Sequence, residues 1–347
     1  MKLLCNVLSL CALAMAIPFD SLDSSAVDKR ATPGVLTTKL SINDIFSYHL
    51  EVKVGSEGKV FHPIADSGSL ITWLGNDDDW AYHSTSLVNT TQPAYVGYAG
   101  TEQASGYYVN DTIAFADGGI DNFNFGVIEN PPYYKEGIVG LARQSNSKYV
   151  PVAHQLKHAG AIDHGVASLY FSVAKDTGKL IFGGYDKAKV GSPWSVHSDP
   201  DTFKVPITNV TAQGKTYYPD HGDVPIVVDT GAYSYLPDAI LDPIVALYKN
   251  PQKQDTGYKV DCDIPDGSFQ LGFGDLILDI KLKEFINGHA EGDACHLAAR
   301  SSERLNNITL LGGGILNHVV ILFDYDNGVI KVAQFNDTDD ENIVQPE

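Results

Sequence analysis

The sequence predicts an all-β protein of sandwich or barrel type, large enough to form two lobes, and three observations carry that reading. Short apolar or alternating runs at residues 48–54, 111–115, 168–173, 179–182, 319–323 and 328–332 are separated by Gly, Asn and Asp turns, with 32 glycines in all. Strands at such spacing pack as sandwiches or barrels. The chain has 347 residues and is 44% hydrophobic, enough for a large core, and that length favours two lobes over one. The third observation is a repeat. Ile64-Ala65-Asp66-Ser67-Gly68-Ser69 returns far downstream as Val227-Val228-Asp229-Thr230-Gly231-Ala232. Each copy is a buried-strand pattern that breaks, at an Asp, into a tight turn of a small hydroxyl residue and Gly, so the carboxylate is displayed at a strand end. Each is followed 70 to 85 residues later by two apolar residues and a Gly, Ile138-Val139-Gly140 and Leu310-Leu311-Gly312. A whole module is therefore repeated, not a tripeptide.

In chain order, Lys2 precedes the apolar run 3–13, and Ala14-Met15-Ala16 has the small-x-small pattern of a cleavage site. Residues 1–16 thus read as a secretory signal peptide, too short to span a bilayer. Residues 17–30 are polar and read as a short prosegment ending in Lys29-Arg30, a processing site before Ala31, or, alternatively, as a loose N-terminus with two exposed basic residues. The short leader ending in Lys-Arg suggests fungal secretion to the extracellular space. Removing residues 1–30 takes three basic and three acidic side chains, so the formal net charge of −19 is unchanged. Such a chain repels nucleic acid and anionic membrane; the charge suits work in acid, where carboxylates protonate, or serves solubility alone. Brief helical patterns interrupt the strands at 150–159, 239–248 and 282–287.

With these residues in view, the chain from Ala31 onward resembles the pepsin-like aspartic peptidases. The resemblance rests on Asp66-Ser67-Gly68-Ser69 with Trp73 seven positions after the Asp, Glu136 to Ala142, Leu180-Ile181-Phe182-Gly183-Gly184, Asp229-Thr230-Gly231, and Leu311-Gly312 followed by Phe323-Asp324-Tyr325-Asp326-Asn327-Gly328. It implies a bilobal fold of two pseudo-symmetric β-barrel-like lobes, residues 31–190 with Asp66 and 191–347 with Asp229, with a cleft between them. The two Gly-ended apolar pairs would thread the loops that carry the aspartates. Cys262 and Cys295 match the family's C-terminal-lobe disulfide. Closing that loop would constrain the unfolded chain by about 3.8 kcal/mol in the entropy model. The resemblance also implies a monomer acting on protein or peptide substrates and open to pepstatin-like inhibitors.

Two adjacent carboxyls cannot both ionise, so they share a proton, one serving as base and the other as acid. Pepsin, itself of the family resembled, is the worked case of that principle. A water between Asp66 and Asp229 would be deprotonated by the ionised partner and attack the peptide carbonyl, while the protonated partner donates to the developing oxyanion. No metal, cofactor or covalent intermediate is required. By the resemblance, Ser67 and Thr230 bond across the lobe interface, Ser69 bonds the outer oxygen of Asp66, and Gly68 and Gly231 complete the turns. Ala232 stands where the family usually has Ser or Thr, which removes one bond from Asp229 and would move the dyad's titration upward. Residues 96–106 occupy the place of the flap, with Tyr98 expected to bond the indole of Trp73. Its spacing to Gly106 is one residue longer than usual, and Ala99 stands where Gly is common. Ile138 is expected to line the pocket for the residue before the cut bond, with Lys135 near it.

Sequons at Asn89, Asn110, Asn209, Asn307 and Asn336 are acceptors in a eukaryotic secretory pathway. Of the four cysteines, Cys5 and Cys11 leave with the signal peptide, and a two-thiol metal site at Cys262 and Cys295 is disfavoured, since no second pair or spaced His then accompanies them. The eleven histidines show no ligand spacing, and no nucleophile elbow, zinc-peptidase motif or phosphate loop is present. A different class of function stays open: a catalytically impaired member of the same fold acting as a binding or inhibitor module. Ala232, Ala99 and Pro63, a proline in the run that feeds Asp66, keep it in play, whereas both Asp66-Ser67-Gly68 and Asp229-Thr230-Gly231 are intact, which speaks against it.

Overall fold

The computed structural model describes residues 32–346 apart from 45–46, 99–102, 117, 132–133, 145–146, 148, 199–201, 221, 256 and 290–293. The expected signal peptide and prosegment, and Ala99, lie outside the described residues.

The chain is built mainly of strands, gathered into one large sheet that carries the first half and a second, eight-stranded sheet in the other half. The large sheet begins with Ser195–Ser198, Val329–Gln334 and Val319–Asp324 from the second half. It continues through Val166–Ser172, Thr177–Phe182 and Leu36–Asp44, then into the first lobe as far as Lys59–Phe61. Val166–Ser172 and Val319–Asp324 pair antiparallel and are buried at every position, so they read in the sequence as mostly apolar runs without strict alternation. By contrast, Leu276–Lys281 at the edge of the second sheet alternates strictly between buried and exposed, as a strand with one wet face must. Val190, close to the expected change of lobe, bridges Phe335, and the strand Ser195–Ser198 follows into the shared sheet.

The expected strands at 111–115, 168–173, 179–182, 319–323 and 328–332 lie within or overlap Ala104–Phe115, Val166–Ser172, Thr177–Phe182, Val319–Asp324 and Val329–Gln334. The run 48–54 is two strands, Ser47–Leu50 and Val52–Val54, parted at Glu51. Helices form at Val152–His158 and Asp238–Val245 as the patterns predict. The helical pattern at 282–287 does not hold. It is a single 3₁₀ turn, Leu282–Glu284, followed by the strand Ile286–His289, which pairs with Ala294–Leu297. Tertiary packing decides it, since Phe285 is fully buried edge-on against Phe269.

Cys262 and Cys295 form a disulfide with Cα atoms 5.1 Å apart, tying the end of the Gly257–Asp261 strand to Ala294–Leu297. Among the sequon asparagines, Asn89, Asn307 and Asn336 are exposed, and Asn110 and Asn209 half-buried. No helix among the described residues is long and apolar enough to cross a membrane.

Candidate active site

The repeat seen in the sequence is a repeat in space. Asp66 ends the strand Ile64–Asp66, which pairs in parallel with Ile138–Gly140, Ile138 opposite Ile64 and Gly140 opposite Asp66. In the other half Val224–Val228 leads into Asp229 and pairs in parallel with Leu310–Leu311. Pro63 precedes its strand, where its missing N–H costs no ladder bond, and its carbonyl accepts from Leu50 N at 3.1 Å. Gly140 and Gly312 are where the threading segments cross the aspartate loops. A Cβ on Gly140 would lie 2.7 Å from the Ser69 carbonyl oxygen, and one on Gly312 would lie 2.1 Å from that of Ala232.

The two loops are bolted together by their hydroxyl residues. Ser67 N donates to Thr230 Oγ1 at 2.9 Å and Thr230 N to Ser67 Oγ at 3.1 Å, while Ser67 Oγ donates to Val228 O at 2.7 Å and Thr230 Oγ1 to Ala65 O at 2.5 Å. Each hydroxyl thus accepts one backbone N–H and donates to one carbonyl across the interface, and both side chains are buried. This closes a four-bond ring between the halves.

The ring brings Asp66 and Asp229 into direct contact. Two buried carboxyls this close cannot both ionise, and the charge of Asp66 adds to burial in keeping Asp229 protonated. Each carboxyl lies against the other module's glycine: a Cβ on Gly68 would come 2.5 Å from Asp229 Oδ2, and one on Gly231 would come 2.7 Å from Asp66 Cγ. Burial pushes both carboxyls above the usual carboxylate range, but not equally. Asp66 accepts from Gly68 N at 2.8 Å and from Ser69 Oγ, bonds that favour its ionised form and oppose the rise. Asp229 has only Gly231 N, at 3.0 Å, and the charge of Asp66 adds to burial, so its carboxyl is driven well above that range. Ala232 lacks the hydroxyl that Ser69 supplies.

Tyr98 stands just past the strand Val88–Val96, at the start of the hairpin turn whose other strand is Ala104–Phe115. Its hydroxyl accepts from Trp73 Nε1 at 2.8 Å and is hydrogen-bonded to Ser69, so a run of bonds leads from the indole to Asp66. Burial, and then the charge of Asp66, raise the phenol's titration. Ile138 is 1% exposed, packed with Ile64 and Trp73 among residues that also touch Ile71 and Tyr98. Lys135 is exposed, and its carbonyl oxygen lies where a Cβ on Gly75 would stand.

Two residues of the site escaped the sequence reading. Thr72 Oγ1 accepts from Gly140 N at 3.1 Å and Ser234 Oγ from Gly312 N at 3.0 Å, both buried and both holding the crossing segment to its loop. The signal was present: each is a hydroxyl residue one position before the aromatic residue, Trp73 or Tyr235, that follows the aspartate turn. Among the described residues no group of three His, Cys, Asp or Glu side chains could hold a metal ion.

Comparison with known proteins agrees with this geometry. Residues 47–335 match the family model described as eukaryotic aspartyl protease. Secreted aspartic protease 1 of Candida albicans is 27% identical over 91% of this chain and 87% of its own length. Candidapepsin-3 of Candida albicans (strain WO-1) is 25% identical over 87% of this chain and 83% of its own, and Candidapepsin-4 of the same strain is 27% identical over 94% and 85%. A fold of duplicated halves, an Asp-[Ser/Thr]-Gly turn from each meeting at their interface, and a family match spanning both turns make this chain a member of the eukaryotic aspartyl protease family.

Proposed function

We propose that the chain is a secreted, extracellular endopeptidase that hydrolyses peptide bonds in proteins at acidic pH, with Asp66 and Asp229 as its catalytic pair. The observation that carries the reading is the contact between the two carboxyls, fixed by the Ser67 and Thr230 ring. Asp66, with two donors on its oxygens, is the ionised partner, and Asp229 holds the proton. A water lodged against both gives a proton to Asp66 as its oxygen attacks the peptide carbonyl carbon, and Asp229 gives its proton to the carbonyl oxygen. Collapse of the tetrahedral adduct returns the hydroxyl proton to Asp229 and passes the proton on Asp66 to the leaving amine, so the pair is restored. No charge has to leave the site, which suits a buried dyad.

Tyr98 would close over the peptide while its bonds to Trp73 and Ser69 keep Asp66 oriented. Ile138, with almost no exposed surface, would shape the adjoining pocket from behind Ile71 and Tyr98. Secretion as a glycosylated monomer fits the apolar leader, the exposed and half-exposed sequons and the names of the Candida relatives. The test is incubation of a denatured protein with the purified chain at about pH 3 to 5, with Asp66→Asn as control and a pepstatin-like inhibitor as a second. Cleavage that Asp66→Asn leaves intact refutes the assignment.

A further inference from the structure

Within the reading of the chain as a peptidase, the duplication marks a second aromatic residue just past an aspartate turn, and what lies opposite it differs from the first half. Ile138 pairs with Ile64 on one side and Trp73 on the other, and Leu310 pairs in the same way with Val227 and Tyr235. Trp73 and Tyr235 are therefore counterparts, one flanking each aspartate. Beyond them, Trp73 lies opposite Gly126 and Tyr235 opposite Arg300, both in parallel pairing. In the first half the residue opposite the aromatic one is a glycine, and the indole bonds the hairpin tyrosine. In the second half the residue opposite the aromatic one is a cation.

Arg300 is held there by two tyrosines. Its Nη1 donates to Tyr235 Oη at 3.2 Å, and its Cζ lies 3.5 Å from the centre of the Tyr233 ring, four residues beyond Asp229. Ser234 and Leu236 are fully buried, so strand alternation turns Tyr233 and Tyr235 outward together, on the side of Arg300. Arg300 lines an open cavity of about 490 Å³ with Lys253, Tyr258, Arg304, Asp255 and Glu303 among its other walls. Lys253 is engaged by Asp238 at 3.4 Å and Glu303 at 3.6 Å. Among the described residues no carboxylate forms an ion pair with Arg300, although the chain has 43 acidic residues against 24 basic ones.

We propose that Arg300 is a specificity-determining residue that receives an acidic side chain of the bound peptide. The Tyr233 ring covers one face of the guanidinium and Tyr235 takes one N–H, which fixes the plane and leaves the other edge N–H groups to meet a carboxylate in bidentate fashion. A peptide Glu titrates near pH 4.3 when unperturbed, so the preference grows as pH rises from about 3 to 5.

The test uses peptides with a single Glu, or its neutral isostere Gln, moved through the positions on either side of the cut bond. At one position Glu should exceed Gln in kcat/KM by about tenfold near pH 5, the typical worth of a charged hydrogen bond in a partly open site, and by less near pH 3. Arg300→Gln should bring that ratio to about one and Arg300→Lys should keep part of it, since Lys offers the charge without the fork. The ratio compares two substrates on one protein, so a general loss of activity in a variant cancels. Should Arg300→Gln fail to fold, the ratio for the unaltered chain should still fall with added salt. A ratio near one at every position in the unaltered chain, or an undiminished ratio in Arg300→Gln, overturns the proposal. Cleavage of the Gln peptides and its loss in Asp66→Asn report separately on the peptidase reading, so failure of one is not mistaken for failure of the other.

Discussion

Ala232→Ser should give Asp229 the bond that Ser69 gives Asp66. The backbone is already in place: Ser69 N bonds Asp66 O at 3.3 Å and Ala232 N bonds Asp229 O at 3.4 Å, so the two turns match, and position 232 is half-exposed. A hydrogen bond to a charged acceptor is worth about 1.5 to 3 kcal/mol, and 1.36 kcal/mol is a factor of ten in a proton equilibrium, so the ionised form of Asp229 should gain at least about tenfold. Asp229 is the proton donor in the proposed mechanism, and activity needs it protonated. The alkaline limb of kcat/KM against pH should therefore move toward acid by about one pH unit, with the maximum nearly unchanged. The measurement is initial rates on a neutral peptide from about pH 2.5 to 7, with binding of a pepstatin-like inhibitor followed over the same range. Ser69→Ala is the opposite perturbation and should shift the acidic limb, set by Asp66, upward. If the Ala232→Ser limb coincides with that of the parent, the asymmetry drawn between the two carboxyls is wrong.

Thr230→Val removes a buried hydroxyl and orphans Ser67 N and the Ala65 carbonyl; at about 1 to 3 kcal/mol for each unpaired group, denaturant unfolding should show a loss of several kcal/mol. Gly68→Ala sets a methyl 2.5 Å from Asp229 Oδ2, and a displacement of about 1 Å at the dyad should lower kcat about a hundredfold while the far-ultraviolet spectrum is kept. Cys262→Ser with Cys295→Ser should cost about 2 to 5 kcal/mol, read as a lowered thermal midpoint. Both dyad carboxyls titrate above their ordinary range, so the native state holds its proton more tightly than the unfolded chain does. The stability this carries is complete below the ordinary carboxylate range and is lost as pH rises through the pair's own titration. The thermal midpoint should accordingly fall as pH rises beyond the ordinary carboxylate range, and Asp229→Asn should shrink that fall.

The catalytic proposal was legible in the sequence because the features that mark it are local. An apolar run, an Asp, a hydroxyl residue and a Gly are contiguous in each module, and each Gly is required by a contact that a Cβ would break. The shared sheet was not legible, since nothing in 166–172 or 319–324 says that these runs, some 150 residues apart, are partners. Their unbroken burial shows only that both faces are covered. The misread segment 282–287 fails for the opposite reason: its pattern is too short to outweigh what Phe285 packs against. Thr72 and Ser234 went unread because a buried hydroxyl beside an aromatic residue carries no meaning until the crossing glycine's N–H is seen to point at it. Arg300 is still further from sequence logic, being defined by the faces of two tyrosines more than sixty positions earlier.

The antiparallel contact between Val166–Ser172 and Val319–Asp324 bears on when this molecule first becomes dangerous to its maker. A chain emerging from the ribosome holds both aspartates once residue 229 is out, yet the floor that joins the halves is missing until nearly a hundred more residues have followed. Such distant pairing is among the slower steps of assembly. In the proposed reading, a working pair of carboxyls is thereby deferred until residues 319–324 have been made and have found their partner strand.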